Sequence, residues 1–212
     1  MYLGKPEHLV KQTGVFTTAE RVAVVDSIMQ YRAEATATDW EYDELLSVES
    51  QLQNGCSSSN DSGHFSYVIN HPTDQDKIIK VQVKPTDVYP LFVNEVLEGR
   101  VRRYVPKFYT TGQILGHNVY IMERVKVLGE VWEGPLYEQC SVLEDVRSTP
   151  TTRLQREVGM FKHLRQPIVY AVLLIKRSLA ELVVCTGSFF DLHSCNWGVR
   201  KDGTIVCLDP IA

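Results

Sequence analysis

The chain has 212 residues, 44% hydrophobic and 23% charged, enough for an ordinary core in one domain or one domain with an appendage. A net charge of −4 and a pI near 5.9 give no support for nucleic-acid or anionic-membrane binding, and the run Arg100-Val101-Arg102-Arg103 reads as a solvated face. No apolar run approaches the ~18 residues of a membrane span and no signal-peptide pattern opens the chain; the five cysteines (56, 140, 185, 195, 207) form no C-x-x-C pair and read as reduced thiols, so a soluble protein of a cytosol-like compartment is expected.

In chain order, residues 1–16 are mixed and read as loosely ordered. Thr17-Thr18-Ala19-Glu20 is a capping-box pattern, and Val22, Val25, Ile28, Met29 and Arg32 continue a helix with one apolar face. A second helix is expected from Asp39 through Gln53, stopped by Asn54-Gly55. Residues 56–63 are small and polar, a loop. Strands are expected at 64–69 and 77–83 with a turn over 71–76 between them, then a helix over 86–98 ended by Gly99. Three short strands with Gly turns follow at 105–109, 113–115 and 118–125. Residues 130–150 read as irregular, and two helices as 151–165 and 168–185. Trp197 to Val206 reads as strand, turn, strand, with Asp202-Gly203 in the turn.

The last two dozen residues hold the densest chemistry. Asp191 can orient a nucleophile or accept its proton, and Asn196 and Asp209 offer oxygens to a hard divalent ion. The hairpin between them can return Asn196 and Asp209 to one end. Protein kinases carry an Asp, an Asn five residues later, and a metal-binding Asp beyond a hairpin; here the intervals are five and thirteen. On that pattern Asp191 is the catalytic base. His193 stands where a Lys often touches the transferred phosphate, and could do the same if protonated. Histidines 8, 71, 117 and 163 show no ligand spacing and read as surface residues.

The remaining parts of a kinase fall in order upstream. Lys80, apolar on both sides in Ile-Ile-Lys-Val, would meet the α/β-phosphates of ATP and a helix Glu. Glu95 shares a helix face with Val88, Leu91 and Phe92 and is preferred to Glu98 as that partner. Asp61 to Val68 lies where a Gly-rich phosphate loop belongs, with only Gly63 and Val68 matching G-x-G-x-x-G-x-V; Gly63, His64, Phe65 and Ser66 would approach phosphate and Val68 the adenine. Tyr120 to Val125 would be the hinge, with Met122 behind the base and the Glu123 carbonyl and Val125 N–H bonding adenine. The expected fold is α+β and protein-kinase-like. It has an N-terminal helical appendage (1–54, a packing scaffold) and an antiparallel-sheet small lobe with hinge (55–129). A reduced helical large lobe (130–212) carries the catalytic loop and the metal-binding Asp. ATP with Mg2+ or Mn2+ are the expected cofactors, held by oxygen ligands and phosphates rather than a Cys/His site.

Together Gly63-His64-Phe65-Ser66 ahead of His71-Pro72, Ile79-Lys80-Val81, Phe190-Asp191-Leu192-His193-Ser194-x-Asn196 and Asp209-Pro210 resemble the early serine/threonine protein kinases of autographiviruses, podophages with their own RNA polymerase. The resemblance spans residues 55–211. It implies a bacteriophage kinase made soon after infection and working in the host bacterial cytoplasm. Such a kinase phosphorylates itself and host proteins, among them RNA polymerase and RNA-processing enzymes, and contributes to host transcription shutoff. The charge balance, not the resemblance, leaves no direct nucleic-acid or membrane partner expected. The departures are Phe189-Phe190 in place of His-Arg, Asp209-Pro210-Ile211 in place of Asp-Phe-Gly, and Cys195 in place of a common Gly. No activation segment, later large-lobe helices or basic shutoff extension follow before Ala212. The kinase is then expected to be either weakly selective or guided to its substrate by the N-terminal helices or a homo-oligomer partner. Two alternatives stand beside this reading: Asp-Leu-His-x-x-Asn also resembles aminoglycoside and choline phosphotransferases, and a kinase-fold protein could inhibit a host target by binding alone.

Overall fold

The computed structural model describes residues 9–36, 66–83, 87–128, 135–154 and 167–212. The helix expected over 39–53, the loop over 56–63, most of the helix over 151–165, and Gly63, His64 and Phe65 lie outside them. The described elements form a mixed α and β architecture in two compact units, Met1–Asp87 with Lys107–Arg124, and Val88–Pro106 with Val125–Ala212. No described helix is long and apolar enough to cross a membrane.

The first unit is an antiparallel four-stranded sheet with one helix on it. α1 (Thr18–Thr36) starts at the expected capping box: the Thr17 N–H donates to Glu20 Oε2 at 2.7 Å and the Glu20 N–H to Thr17 Oγ1 at 3.3 Å. The strands β1 (Ser66–Asn70), β2 (Lys77–Gln82), β3 (Phe108–Ile114) and β4 (His117–Glu123) run in the order β1-β2-β4-β3. Alternation along β2 sends Ile79 and Val81 to the α1 side, where they join Phe16, Val24, Ile28, Tyr67, Ile114, Val119 and Ile121 in a core. Tyr67 stacks on Tyr31 at 5.5 Å, and burial pushes its hydroxyl pKa up to about 12.

Residues 105–109 and 113–115 are not separate strands; a single strand, β3, runs across the expected break. Gly112 is there for close approach, not for a turn. A Cβ on it would lie 3.1 Å from the Phe16 ring. The turn comes later, at Leu115 and Gly116. Both have positive φ (50° and 81°), so they form the two-residue reversal that suits a twisted hairpin. His71 is also not a surface residue. It is buried, with Nε2 2.9 Å from Glu20 Oε1, while Nδ1 accepts the Thr73 and Asp74 N–H groups at 3.3 and 3.1 Å. Those two acceptor bonds leave the proton on Nε2, pointing at the carboxylate.

The second unit holds helices around a small sheet. α2 (Tyr89–Leu97) has Pro90 in its first turn and ends in a Schellman motif. Gly99 takes φ 72°, its N–H donates to the Val96 carbonyl at 3.0 Å, and the Arg100 N–H donates to that of Glu95 at 2.9 Å. β5 (Lys126–Val127), β6 (Trp197–Val199) and β7 (Ile205–Cys207) form an antiparallel sheet in that order. The stretch expected to be irregular contains α3 (Pro135–Arg147), which buries Leu143 and Val146 at helical spacing. Only those two positions mark its apolar face among the side chains described, too few for periodicity to declare it. The apolar helix expected over 168–185 is two helices, α4 (Pro167–Ser178) and α5 (Ala180–Thr186), divided at Leu179. α4 is buried on most of its surface, whereas no α5 residue is buried, so one apolar run covers two different environments. Gly187, at φ 69°, closes α5.

Candidate active site

Beyond Gly187 the chain turns back on its own end. The Phe189 and Ala212 backbones exchange two hydrogen bonds at 3.0 and 3.1 Å, Phe190 bridges Ile211, and the Asp191 N–H donates to the Pro210 carbonyl at 2.9 Å. This short antiparallel ladder sets Asp191 beside the segment that follows Asp209. Leu192, buried, anchors the loop. A 3-10 turn over Ser194–Asn196 then leads into β6.

The β6–β7 hairpin closes the circuit. Its loop is longer than a bare Asp-Gly turn. The Arg200 N–H donates to the Thr204 carbonyl at 2.9 Å, Asp202 Oδ1 accepts the Thr204 N–H at 2.8 Å, and Gly203 takes φ 83°. At the far end the Leu208 N–H donates to the Asn196 carbonyl at 2.7 Å, so Asn196 and Asp209 return to one end as expected. Asn196 Nδ2 donates to the Asp191 carbonyl at 2.9 Å, tying the loop to the hairpin. With the amide nitrogen committed there, the oxygen is the end that can ligate a cation. His193 Nε2 lies 3.5 Å from Asp191 Oδ2, both side chains about one-third exposed (39% and 34%). Burial first, then the carboxylates of Asp209 and Asp191, push the Cys207 thiol pKa well above the ordinary value. Asp191, His193, Asn196 and Asp209 therefore form one local cluster in the second unit. Gly198 in β6 keeps the sheet close, since a Cβ on it would lie 2.3 Å from Val125 Cγ2.

In the first unit, the sheet face opposite α1 carries other expected site residues. Val68 is directly opposite Lys80, and Lys80 opposite Tyr120, so all three share a face with Ser66 and Met122, each two residues along its strand. Lys80 is buried at 8% exposure. Beside it Gln82 Oε1 accepts from Asn118 Nδ2 at 2.7 Å and from the Tyr120 hydroxyl at 3.3 Å, bracing the same face. Glu123 is not spent on its backbone alone. Its side chain is buried, Oε1 accepts the Lys107 N–H at 2.9 Å, and its own N–H donates to the Lys107 carbonyl at 3.0 Å. Arg124, within the stretch expected to be the hinge, holds the end of the sheet, bonding Gln75 O at 2.8 Å, Lys77 O at 3.2 Å and Asn70 Oδ1 at 2.5 Å. The chain passes from the first unit to the second between Arg124 and Val125.

Glu95 belongs to the second unit, and the cation at its carboxylate there is Arg100. Arg100 Nη2 donates to Glu95 Oε1 at 2.6 Å, with further contacts from Nε to Glu95 and from Nη1 to Glu98. Arg100, Arg102 and Arg103 are exposed, as expected of a solvated face, and the Schellman turn folds Arg100 back onto the helix end, a tertiary detail that residue spacing does not reveal.

Among the described residues, no three His, Cys, Asp or Glu side chains are grouped so as to hold a metal by themselves. No protein-family model matches the chain, and a search of curated proteins finds no match.

Proposed function

We propose that this protein is an ATP-dependent serine/threonine protein kinase of bacteriophage origin that phosphorylates itself and host proteins early in infection, RNA polymerase and RNA-processing enzymes among them. The observation that carries the reading is the cluster of Asp191, Asn196 and Asp209, assembled by the 189–191 ladder and the β6–β7 hairpin. Its chemistry suits phosphoryl transfer, where positioning and electrostatics do most of the work. Asp191, partly exposed and fixed through its backbone N–H, orients the attacking hydroxyl and takes its proton. His193, when protonated, neutralises charge beside Asp191 and can meet the transferred group. Asn196 and Asp209 would hold Mg2+ or Mn2+. One carboxylate and one amide oxygen are a hard donor set that needs phosphate oxygens to complete it. When bound, the ion would neutralise charge on the nucleotide phosphates. Lys80, on its sheet face with Val68 and Met122, supplies a cation on a surface with an apolar floor suited to a nucleotide.

The test is mass spectrometry of the full chain, with and without a host extract, after incubation with Mg-ATP, beside Asp191→Ala. Phosphate on serine or threonine in the wild type, lost in Asp191→Ala while ATP still binds, is the expected result. A wild type that binds ATP and transfers nothing to protein overturns the reading.

A further inference from the structure

Lys176 is an anomaly that the proposed reaction does not use. It sits on α4 and is only 6% exposed, where a charged amine is costly unless its protons find acceptors. Its Nζ donates to the Arg147 carbonyl at 2.5 Å and the Thr149 carbonyl at 2.9 Å, at and just beyond the C-terminal end of α3. That is the negative end of a helix, so the charge is met by backbone carbonyls. Burial lowers the amine's pKa. An ammonium has three protons, and the third contact is the Phe190 ring, whose centroid lies 5.9 Å from Nζ.

Phe190 is the residue before Asp191. Its backbone bridges Ile211, and the next N–H bonds Pro210. The amine is held at the end of α3 by its two carbonyl bonds, so it stands as a fixed charge beside the ring of the residue immediately before the candidate base.

We propose that Lys176 is a positioning residue for Asp191, acting through the Phe190 ring; this rests on the phosphotransferase reading of the site. A lysine needed only for packing would serve folding and leave turnover alone. A positioning lysine sets the rate of the chemical step without changing nucleotide affinity.

The experiment measures label transfer from Mg-ATP by the full chain with Lys176→Met, Lys176→Arg, Phe190→Leu and the Lys176→Met/Phe190→Leu double variant. Lys176→Met is expected to lose about 10- to 100-fold in kcat with KM for ATP within about twofold of wild type. Lys176→Arg, which can reach both carbonyls and the ring, restores most of it. Phe190→Leu reproduces the loss, and the double variant loses no more than either single one, because both break one contact. If Lys176→Met folds poorly, Phe190→Leu carries the test: an unchanged kcat there overturns the proposal, as do losses that simply add. Loss of the ring-current shift on the Lys176 ε-methylene protons in Phe190→Leu checks the contact without any activity. No transfer by the wild type overturns the kinase reading instead, and the two failures are told apart by that arm alone.

Discussion

Gly198→Ala tests the architecture of the site most directly. A Cβ at residue 198 would stand 2.3 Å from Val125 Cγ2, 3.1 Å from Val125 Cβ and 3.3 Å from the Lys126 carbonyl oxygen, against 3.4–4 Å for ordinary contact. Rotating Val125 cannot cure this. A β-branched side chain has few alternatives at χ1, and the Cβ and carbonyl contacts do not depend on that rotation. β5 and β6 must then separate by roughly an ångström where Val127 pairs with Gly198. Overpacking of this kind costs about 1–3 kcal/mol, and with backbone among the clashing atoms about 3 kcal/mol is expected. Asn196 lies just ahead of β6, so its bond to the Asp191 carbonyl should loosen and label transfer should fall with stability. The assay is urea unfolding of wild type, Gly198→Ala, Val125→Ala and the double variant, followed by circular dichroism. Val125→Ala removes the methyl that clashes most, so the double variant should recover about half of the loss, a coupling of about 1–2 kcal/mol. A Gly198→Ala protein within about 0.5 kcal/mol of wild type, or a loss untouched by Val125→Ala, would mean that Gly198 does not set the β5–β6 spacing.

Two further predictions concern Glu20 and Asn196. Glu20 feels burial, which raises its pKa, but the Thr17 N–H, His71 and the Thr17 hydroxyl together lower it below its ordinary 4.5. A depressed folded pKa gives stability that is complete above the unfolded value and lost as pH falls through the folded one, so acid should erode stability below about pH 4.5. Glu20→Gln keeps a capping side chain and should flatten that part of the stability–pH curve; a curve parallel to wild type there counts against the account. Asn196→Asp keeps a ligand oxygen but removes the amide donor to the Asp191 carbonyl. It should lose about 1 kcal/mol of stability and most of its kcat, whereas unchanged stability would mean the 2.9 Å bond contributes nothing.

The local devices were legible in the residues. The Thr17–Glu20 capping box, the Gly99 helix end and the Trp197–Cys207 hairpin each arise within a few residues, where chain geometry allows few outcomes. The spacing of Asp191, Asn196 and Asp209 belongs to the same class, since a short hairpin must return to where it began. Alternation along each strand was equally readable, but that Val68 and Lys80 share one sheet face depends on the β1–β2 register, which only the paired strands show.

What spacing could not provide was the identity of partners far apart in the chain. His71 looked like a surface histidine until Glu20, 51 residues away, appeared beside it. Gly112 read as a turn because its role depends on Phe16 lying across the sheet, and Gly198 needs Val125 for its meaning. Nothing in the residues around Lys176 names the Arg147 and Thr149 carbonyls or the Phe190 ring as its partners. The residues alone settle which faces are apolar and where the backbone can turn, because those are properties of neighbours in the chain. Which buried charge meets which carbonyl, and which glycine makes room for which ring, is decided only when the faces pack, since each such contact is selected by the surfaces left over once every other has been made.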